Sequence, residues 1–319
     1  MMTLSEIYEL AIEMGSKADP RGTAGVKAAL VRVKKNYEEL SDKKKSFFDK
    51  ESLKNPYADS RILFGDLKTK IGKIITGIDI TTGEVVLVDR LNQKGEKIDL
   101  VIGHHPEGQA LVALDEVMDL QVDVLSQLGV PVNIAESLLS ERISQVKRGL
   151  GPANHFQSVD AARLLNIPFM VIHTIWDNLG YDFLLKHLAK KKLETVGEVI
   201  DAIEEIPEFA EAKKYNTGPK ITSGSRKNRA GKVAVTGFTG GTSGSKLIYE
   251  KMAHAGLGTI VEMHMNESHH EEAKKHHLNT IVSGHMASDS LGANLFLDQL
   301  EKRGVKVIPF SGLIRVKRK

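Results

Sequence analysis

The stretch Asp99-Leu100-Val101-Ile102-Gly103-His104-His105-Pro106 decides how the chain is read. Its apolar run is too short for a helix and has the length of a buried strand. A strand apolar on both faces belongs to a parallel sheet covered by helices. Upstream, 71–80 (IGKIITGIDI) reads as another strand. The segment between them, 84–92, stays open: its VVLV run favours a strand, whereas a helix there would complete a βαβ unit. Downstream, the spacing predicts helices over 107–128, 136–148 and 158–165, a buried strand over 169–173, and helices over 182–190 and 196–206. From 233 the alternation resumes, with strands at 233–235, 259–263, 280–283 and 305–309 and helices at 246–254, 271–276 and 291–302. Such alternation predicts an α/β protein with largely parallel sheets, whose sites form beyond the carboxyl ends of strands.

The rest of the chain frames that unit. Helical periodicity over 3–16 and 23–48, followed by the loop-like 55–60, makes 1–60 an N-terminal helical extension. The polar, basic stretch 213–231 (KKYNTGPKITSGSRKNRAG) reads as a linker. The division is therefore 1–60, a first α/β repeat over 61–212, the linker, and a second α/β repeat over 232–319. The basic tail from Arg315 to Lys319 reads as a frayed, solvated terminus.

Composition limits the function. In 319 residues, 41% hydrophobic and 27% charged side chains exclude a disordered or membrane-embedded chain. Lys plus Arg total 44 against 41 Asp plus Glu, a net charge of +3, too balanced for a dedicated nucleic-acid binder. With no cysteine there is no disulfide, thiolate zinc site or cysteine nucleophile, and a cytoplasmic location is expected. Glu6, Glu9 and Glu13 interrupt the N-terminal apolar pattern, unlike a secretory signal, and the apolar run 167–176 is too short to span a bilayer. A metal site must use His, Asp and Glu, and the 12 histidines cluster.

Three strand ends present such groups. His104 and His105 close the first strand; such a pair alone is usually two partly exposed loop histidines, but its place at the carboxyl end of a buried strand favours a metal site, and both face one site only if the chain turns at Pro106. The stretch His173-Thr174-Ile175-Trp176-Asp177 follows another strand, where Asp177 is a ligand or a helix cap. Gly284-His285-Met286-Ala287-Ser288-Asp289 follows a third, and His285 and Asp289 share a face if the helix starts early. Together, His104, His105, Asp177, His285 and Asp289 form a donor set for Zn, Mn, Fe, Co or Ni, with two ions sharing a carboxylate or water. In the run HMNESHHEEAKKHH (264–277), most histidines read as solvated, while His264, His269 and His270 are proton-transfer candidates. The loop carrying Gly240, Gly241, Ser243 and Gly244 offers backbone N–H groups to an anion, or is a tight turn without a ligand. It does not match G-x-x-x-x-G-K-[ST].

The order D-I-T, D-L-V-I-G-H-H-P, H-T-x-x-D and G-H-x-x-S-D-x-x-G resembles the NIF-three-like family, whose members are often labelled GTP cyclohydrolase I type 2 homologues. The resemblance covers about 71–319. It implies two intertwined α/β repeats flanking a cleft with a dinuclear metal centre, and a homo-oligomer, commonly a ring-shaped hexamer. It implies His104, His105, Asp177, His285 and Asp289 as the ligands. The chain departs from the family at Asp289, where Glu is usual, and at 261–264, where V-E-M-H replaces the usual T-G-[ED] segment. The expected function is a metal-dependent hydrolase acting on a nucleotide-like or phosphorylated small molecule. The alternative is a non-enzymatic metal-binding regulatory or scaffold protein that binds protein or nucleic-acid partners.

Overall fold

The computed structural model describes residues 1–318. The chain runs β1 (Met2–Thr3), α1 (Leu4–Ala18), α2 (Gly22–Glu38), α3 (Asp42–Lys45), β2 (Arg61–Phe64), β3 (Lys70–Ile71), β4 (Lys73–Gly77) and α4 (Thr82–Gln93). It continues through β5 (Leu100–Gly103), α5 (Gly108–Val112), α6 (Leu120–Leu128), α7 (Val132–Leu150), α8 (Gln157–Leu164), β6 (Phe169–Val171), α9 (Thr174–Ala189), α10 (Val196–Glu204) and α11 (Pro207–Lys213). The last third is β7 (Lys220–Ser223), β8 (Lys232–Val235), α12 (Ile248–His254), β9 (Leu257–Glu262), α13 (Glu267–Lys275), β10 (Asn279–Val282), α14 (His285–Lys302) and β11 (Lys306–Pro309).

Two sheets organise these elements. The first has the order β11-β4-β5-β6-β2, with β11, β4, β5 and β6 parallel and β2 antiparallel at the edge. The second has the order β7-β10-β9-β8, with β8, β9 and β10 parallel and β7 antiparallel at the edge. The repeats are intertwined. β11, the last strand, lies beside β4 of the first sheet. Conversely, α6 and α7, which end well before the second sheet begins at Lys220, pack Val122, Leu125, Ala135 and Leu139 against Ala234 and Ile260 of that sheet.

Helices α9 and α14 lie between the sheets. Ile175, Trp176, Phe296 and Leu297 pack on Ile74, Leu100 and Ile102 of the first sheet, while Leu184, Leu188 and Leu291 pack toward Val261 and Ile281 of the second. A helix enclosed on both sides has little polar face to spare, which is why neither reads as amphipathic. The outer faces are covered by Val85 and Val88 of α4 with Ala162 of α8 on one side, and by α7, α12 and α13 on the other.

Helix α1 begins with a capping box. Thr3 Oγ1 accepts from the Glu6 N–H at 3.1 Å, and Glu6 Oε2 accepts from the Thr3 N–H at 2.6 Å. Its apolar stripe, Leu4, Ile7, Tyr8 and Ala11, is buried in the first core together with Ile74 and Phe296, so the N-terminal helix completes the middle layer. The ambiguous 84–92 lies within α4, whose Thr81–Glu84 capping box overrides the β-branched run. The pattern expected as one helix over 23–48 breaks after Glu38, and the one expected over 107–128 breaks into α5, a 3₁₀ turn and α6. The polar stretch read as a linker carries β7, whose ladder to β10 holds it in the second sheet.

The C-terminal tail, expected to fray, is anchored. Arg318 donates to both carboxylate oxygens of the fully buried Glu208 at 2.7 Å each, and Arg315 donates to Asp298 at 2.6 Å. Paired arginine–carboxylate geometry of this kind orders a segment that its charge alone would leave in solvent. Lys319 lies outside the described residues. Among the described residues, no helix is long and apolar enough to cross a membrane.

Candidate metal centre

The three strand ends converge. His104 and His105 follow β5, and the chain turns there: the N–H groups of His104 and His105 both donate to Ile78 O, at 3.1 and 3.0 Å. That turn brings two successive side chains to one side, which a regular strand would separate. Helix α9 starts at Thr174, eight residues before the helix read from the sequence, so Asp177 lies in its first turn. Helix α14 starts at His285, and Asp289 lies one turn later on the same face.

The distances fit groups spaced to share an ion better than groups hydrogen-bonded to one another. His104 Nε2 lies 3.4 Å from Asp177 Oδ1 and 3.6 Å from Asp289 Oδ1. His105 Nε2 and His285 Nε2 each lie 3.6 Å from Asp289 Oδ2. These separations exceed ordinary N–H···O bonds. They match the roughly 3.4 Å between two donors that each sit about 2.1 Å from a tetrahedral ion. His104, Asp177 and Asp289 form one such group, and His105, His285 and Asp289 another. Asp289 belongs to both.

The carboxylates are otherwise orphaned. Asp289 Oδ1 and Oδ2 and Asp177 Oδ1 are buried without a hydrogen-bond partner. Buried carboxylate oxygens are costly unless a cation or donor meets them. The donor set of imidazoles and carboxylates therefore fits a divalent metal ion. Without one, protons take that role. Burial opposes charging His104, but Asp289 and Asp177 outweigh it and hold its pKa well above the usual imidazole value. Burial and then the His104 charge push His105 down to about 4. Burial works to raise Asp289, and the His104 charge beside it brings its pKa below the ordinary carboxylate value.

Each inward nitrogen is set by a partner on the ring's other side. His104 Nδ1 lies 3.0 Å from Ile172 O, which can only accept, so Nδ1 carries the proton and Nε2 offers its lone pair to the cluster. His105 Nδ1 donates to Asp79 at 2.7 Å. His173, absent from the ligand set expected from the sequence, joins the cluster: its Nε2 lies 3.9 Å from Asp177 Oδ2, and His104, His105 and His173 form a third candidate group. Its Nδ1 donates to the buried Asp59 at 2.8 Å, which also accepts from Thr174 Oγ1 at 2.7 Å. Asp59, and Asp79 of the D-I-T motif, were not read as partners of ligating histidines because neither is near its histidine in the sequence. The signal available was the general need of a ligating imidazole for a carboxylate or carbonyl behind it. Asp59→Asn is expected to weaken metal binding about 10-fold, read by competition with a chromogenic chelator.

The proton-transfer candidates separate. The His264 ring lies 4.6 Å from the His285 ring and lines the same small cavity as His104, Asp177 and Asp289. His269 sits farther out, its Nδ1 3.4 Å from Tyr249 Oη. His270 is not brought to the cluster: it lines a separate depression with Thr222, Met265 and Glu267. Adjacent residues on a helix point about 100° apart, so α13 cannot aim both histidines one way. In the glycine loop, Gly240 and Gly241 adopt φ of +85° and +83°, the left-handed region that favours glycine. Gln121 Nε2 donates to Gly240 O and Thr242 O at 2.7 Å each, and Arg142 Nε donates to Ser243 O at 2.9 Å. These bonds bind the loop to α6 and α7. The following helix begins at Ile248 rather than at 246, so the loop does not lead directly into a helix N-terminus. Gly241 and Ser243 line the metal-directed cavity, Gly244 lines the next one, and Gly240 packs on Gln121.

The solved structure of a NIF3 superfamily protein from Sphaerobacter thermophilus is similar to this chain at a TM-score of 0.72 and 30% identity, over 80% of this chain and 92% of that one. Reduced HcgD from Methanocaldococcus jannaschii aligns at a TM-score of 0.49 and 15% identity, over 84% and 94%. No protein-family model matches the sequence, and no curated protein matches it. Fold, sheet topology and the relative that shares 30% of its residues agree that the chain belongs to the NIF3 superfamily.

Proposed function

We propose that the protein is a metal-dependent hydrolase with a dinuclear centre, acting on a nucleotide-like or phosphorylated small molecule. The observation that carries this reading is the set of three unpartnered, buried carboxylate oxygens on Asp177 and Asp289 facing the imidazoles of His104, His105 and His285. One ion would be held by His104, Asp177 and Asp289 and the other by His105, His285 and Asp289, with His173 adjoining the first group. Divalent ions in such a site lower the pKa of water toward neutrality and polarise the substrate.

The remaining work falls to the chain. Ile172 O and the carboxylates of Asp79 and Asp59 hold three imidazoles with Nε2 inward. His264, whose pKa burial and the neighbouring His285 lower, is neutral near pH 7 and can relay a proton to a leaving group. The loop with Gly241 and Ser243 lines the same cavity as His104, Asp177 and Asp289. A ring-shaped homohexamer belongs to the same reading.

The test measures metal content per chain and turnover of a panel of nucleotides and phosphoesters. Two equivalents of metal per chain are expected. His105→Ala is expected to lower turnover at least about 100-fold, more than the loss of a group behind a ligand. Turnover unchanged in that variant would overturn the metal mechanism.

A further inference from the structure

A second cavity of about 50 Å³ adjoins the metal-directed one. The two share Gly237, Phe238, Thr239, Ser243 and His264 in their walls. A single water needs roughly 10–15 Å³ measured this way, so the cavity has room for a group of several heavy atoms. Val124, Leu125, Ile248 and Met252 make most of it apolar. On its outer side, Gly244, Ser245 and His269 separate it from a surface groove that they line together with Arg142, Glu141 and Lys246.

One wall is polar, and it centres on Glu262. Glu262 Oε1 accepts from Thr236 Oγ1 at 2.9 Å, and Tyr249 Oη lies 3.0 Å from each of its oxygens. Tyr249 has one hydroxyl hydrogen, so the two oxygens together keep hydrogen-bonding capacity unused. A buried carboxyl is a poor device for merely fixing a loop, because its desolvation offsets what its hydrogen bonds return. Burial, opposed by the Thr236 and Tyr249 hydroxyls, pushes its pKa up to about 7. Near neutral pH it therefore offers either two acceptors or an acceptor beside a donor. Few convergent polar groups on one side of a mostly apolar cavity is the usual make-up of a small-molecule site.

We propose that this cavity is the specificity subsite for the substrate, taking a compact uncharged ring that bears an amide-like edge, which Glu262 reads. The proposal rests on the neighbouring cluster being the reacting centre, since that is what makes a ligand here a substrate. A planar amide places an N–H donor and a carbonyl acceptor side by side, and a carboxyl group answers both at once. The ring fills the space between Leu125, Ile248 and Met252.

The test uses benzamide as the probe, titrated into the metal-loaded protein by ligand-observed NMR, with fluorobenzene as a ring lacking the amide. Wild type, Glu262→Leu and Met252→Trp are compared, with metal content and thermal midpoint recorded for each. Benzamide is expected to bind wild type and to lose at least tenfold in affinity in either variant. Fluorobenzene is expected to lose affinity only in Met252→Trp, which fills the cavity. Absence of benzamide binding to wild type, or equal losses of both probes in Glu262→Leu, overturns the proposal. If Glu262→Leu does not fold, retention of benzamide binding by Met252→Trp overturns it and loss supports it. Benzamide binding needs no turnover, so binding without hydrolysis of any phosphoester would sink the hydrolase reading and leave the cavity as a ligand site whose occupant is not a hydrolase substrate.

Discussion

Asp289→Asn is expected to reduce divalent metal affinity by at least about 100-fold, or about 2.7 kcal/mol. The side chain keeps its size, so packing between α9 and α14 is preserved, but the chemistry changes at both oxygens. Oδ1 is 3.6 Å from His104 Nε2, and Oδ2 is 3.6 Å from both His105 Nε2 and His285 Nε2. An amide replaces one of these acceptors by an NH₂ group, which directs hydrogens at the ion, and it removes the negative charge from both donor groups. Asp is one methylene shorter than the Glu usual in the resembling family. Here the start of α14 at His285 brings the shorter side chain within reach of three imidazoles. The measurement is metal per chain after dialysis, together with the rise in thermal midpoint on adding metal. A ligand that binds only the folded state stabilises it in proportion to the logarithm of its affinity, so the rise should shrink sharply in the variant. A full metal complement and an unchanged rise in Asp289→Asn would remove Asp289 from the centre.

The strand ends that carry His104, His105, Asp177, His285 and Asp289 were legible because each combines a short apolar run with polar groups at its carboxyl end. That is a local pattern, and local patterns survive translation into structure. The early start of α14, on which the His285–Asp289 pairing depends, was readable only as a condition, since Gly284 can open a helix or continue a turn. Three features were not legible, all of them matters of long-range packing. Helix α1 reads as amphipathic, yet nothing in its own residues says that its stripe meets Ile74 and Phe296. The strand β11 reads as a strand, yet its pairing with β4 joins positions more than two hundred residues apart. Asp59 reaches His173 from the loop ahead of β2, 114 residues away. His173 itself was visible in the sequence. It was passed over because a residue closing a strand and the one four positions later need share a site only if a helix begins between them, which α9 does.

Gly292→Ala is expected to destabilise the protein by about 3 kcal/mol or more, in the upper part of the range for overpacking a close contact. A Cβ at Gly292 would lie 1.9 Å from Trp176 O and 2.6 Å from Trp176 C. Both are backbone atoms of α9, so no rotamer change relieves the clash and the two helices must separate. These helices also carry the metal-directed groups: Asp177 follows Trp176, and Asp289 precedes Gly292 by less than one turn. The variant should therefore lose metal affinity as well as stability, although it touches no ligand. Two other glycines separate this mechanism from a general cost of adding a methyl group. At Gly180, across the same contact, a Cβ would meet Ser288 O at 3.3 Å and Gly292 N at 3.4 Å, a crowding that a few tenths of an ångström relieve. Gly180→Ala should cost less than about 1.5 kcal/mol. At Gly149, within α7, nothing lies within 4 Å. Gly149→Ala should stabilise by roughly 0.5–1 kcal/mol through helix propensity and a less flexible unfolded chain. Thermal unfolding of the three variants, with metal titration of each, checks the ordering. Equal small effects at 180 and 292 would mean that the α9–α14 contact is not what holds the two halves of the centre together.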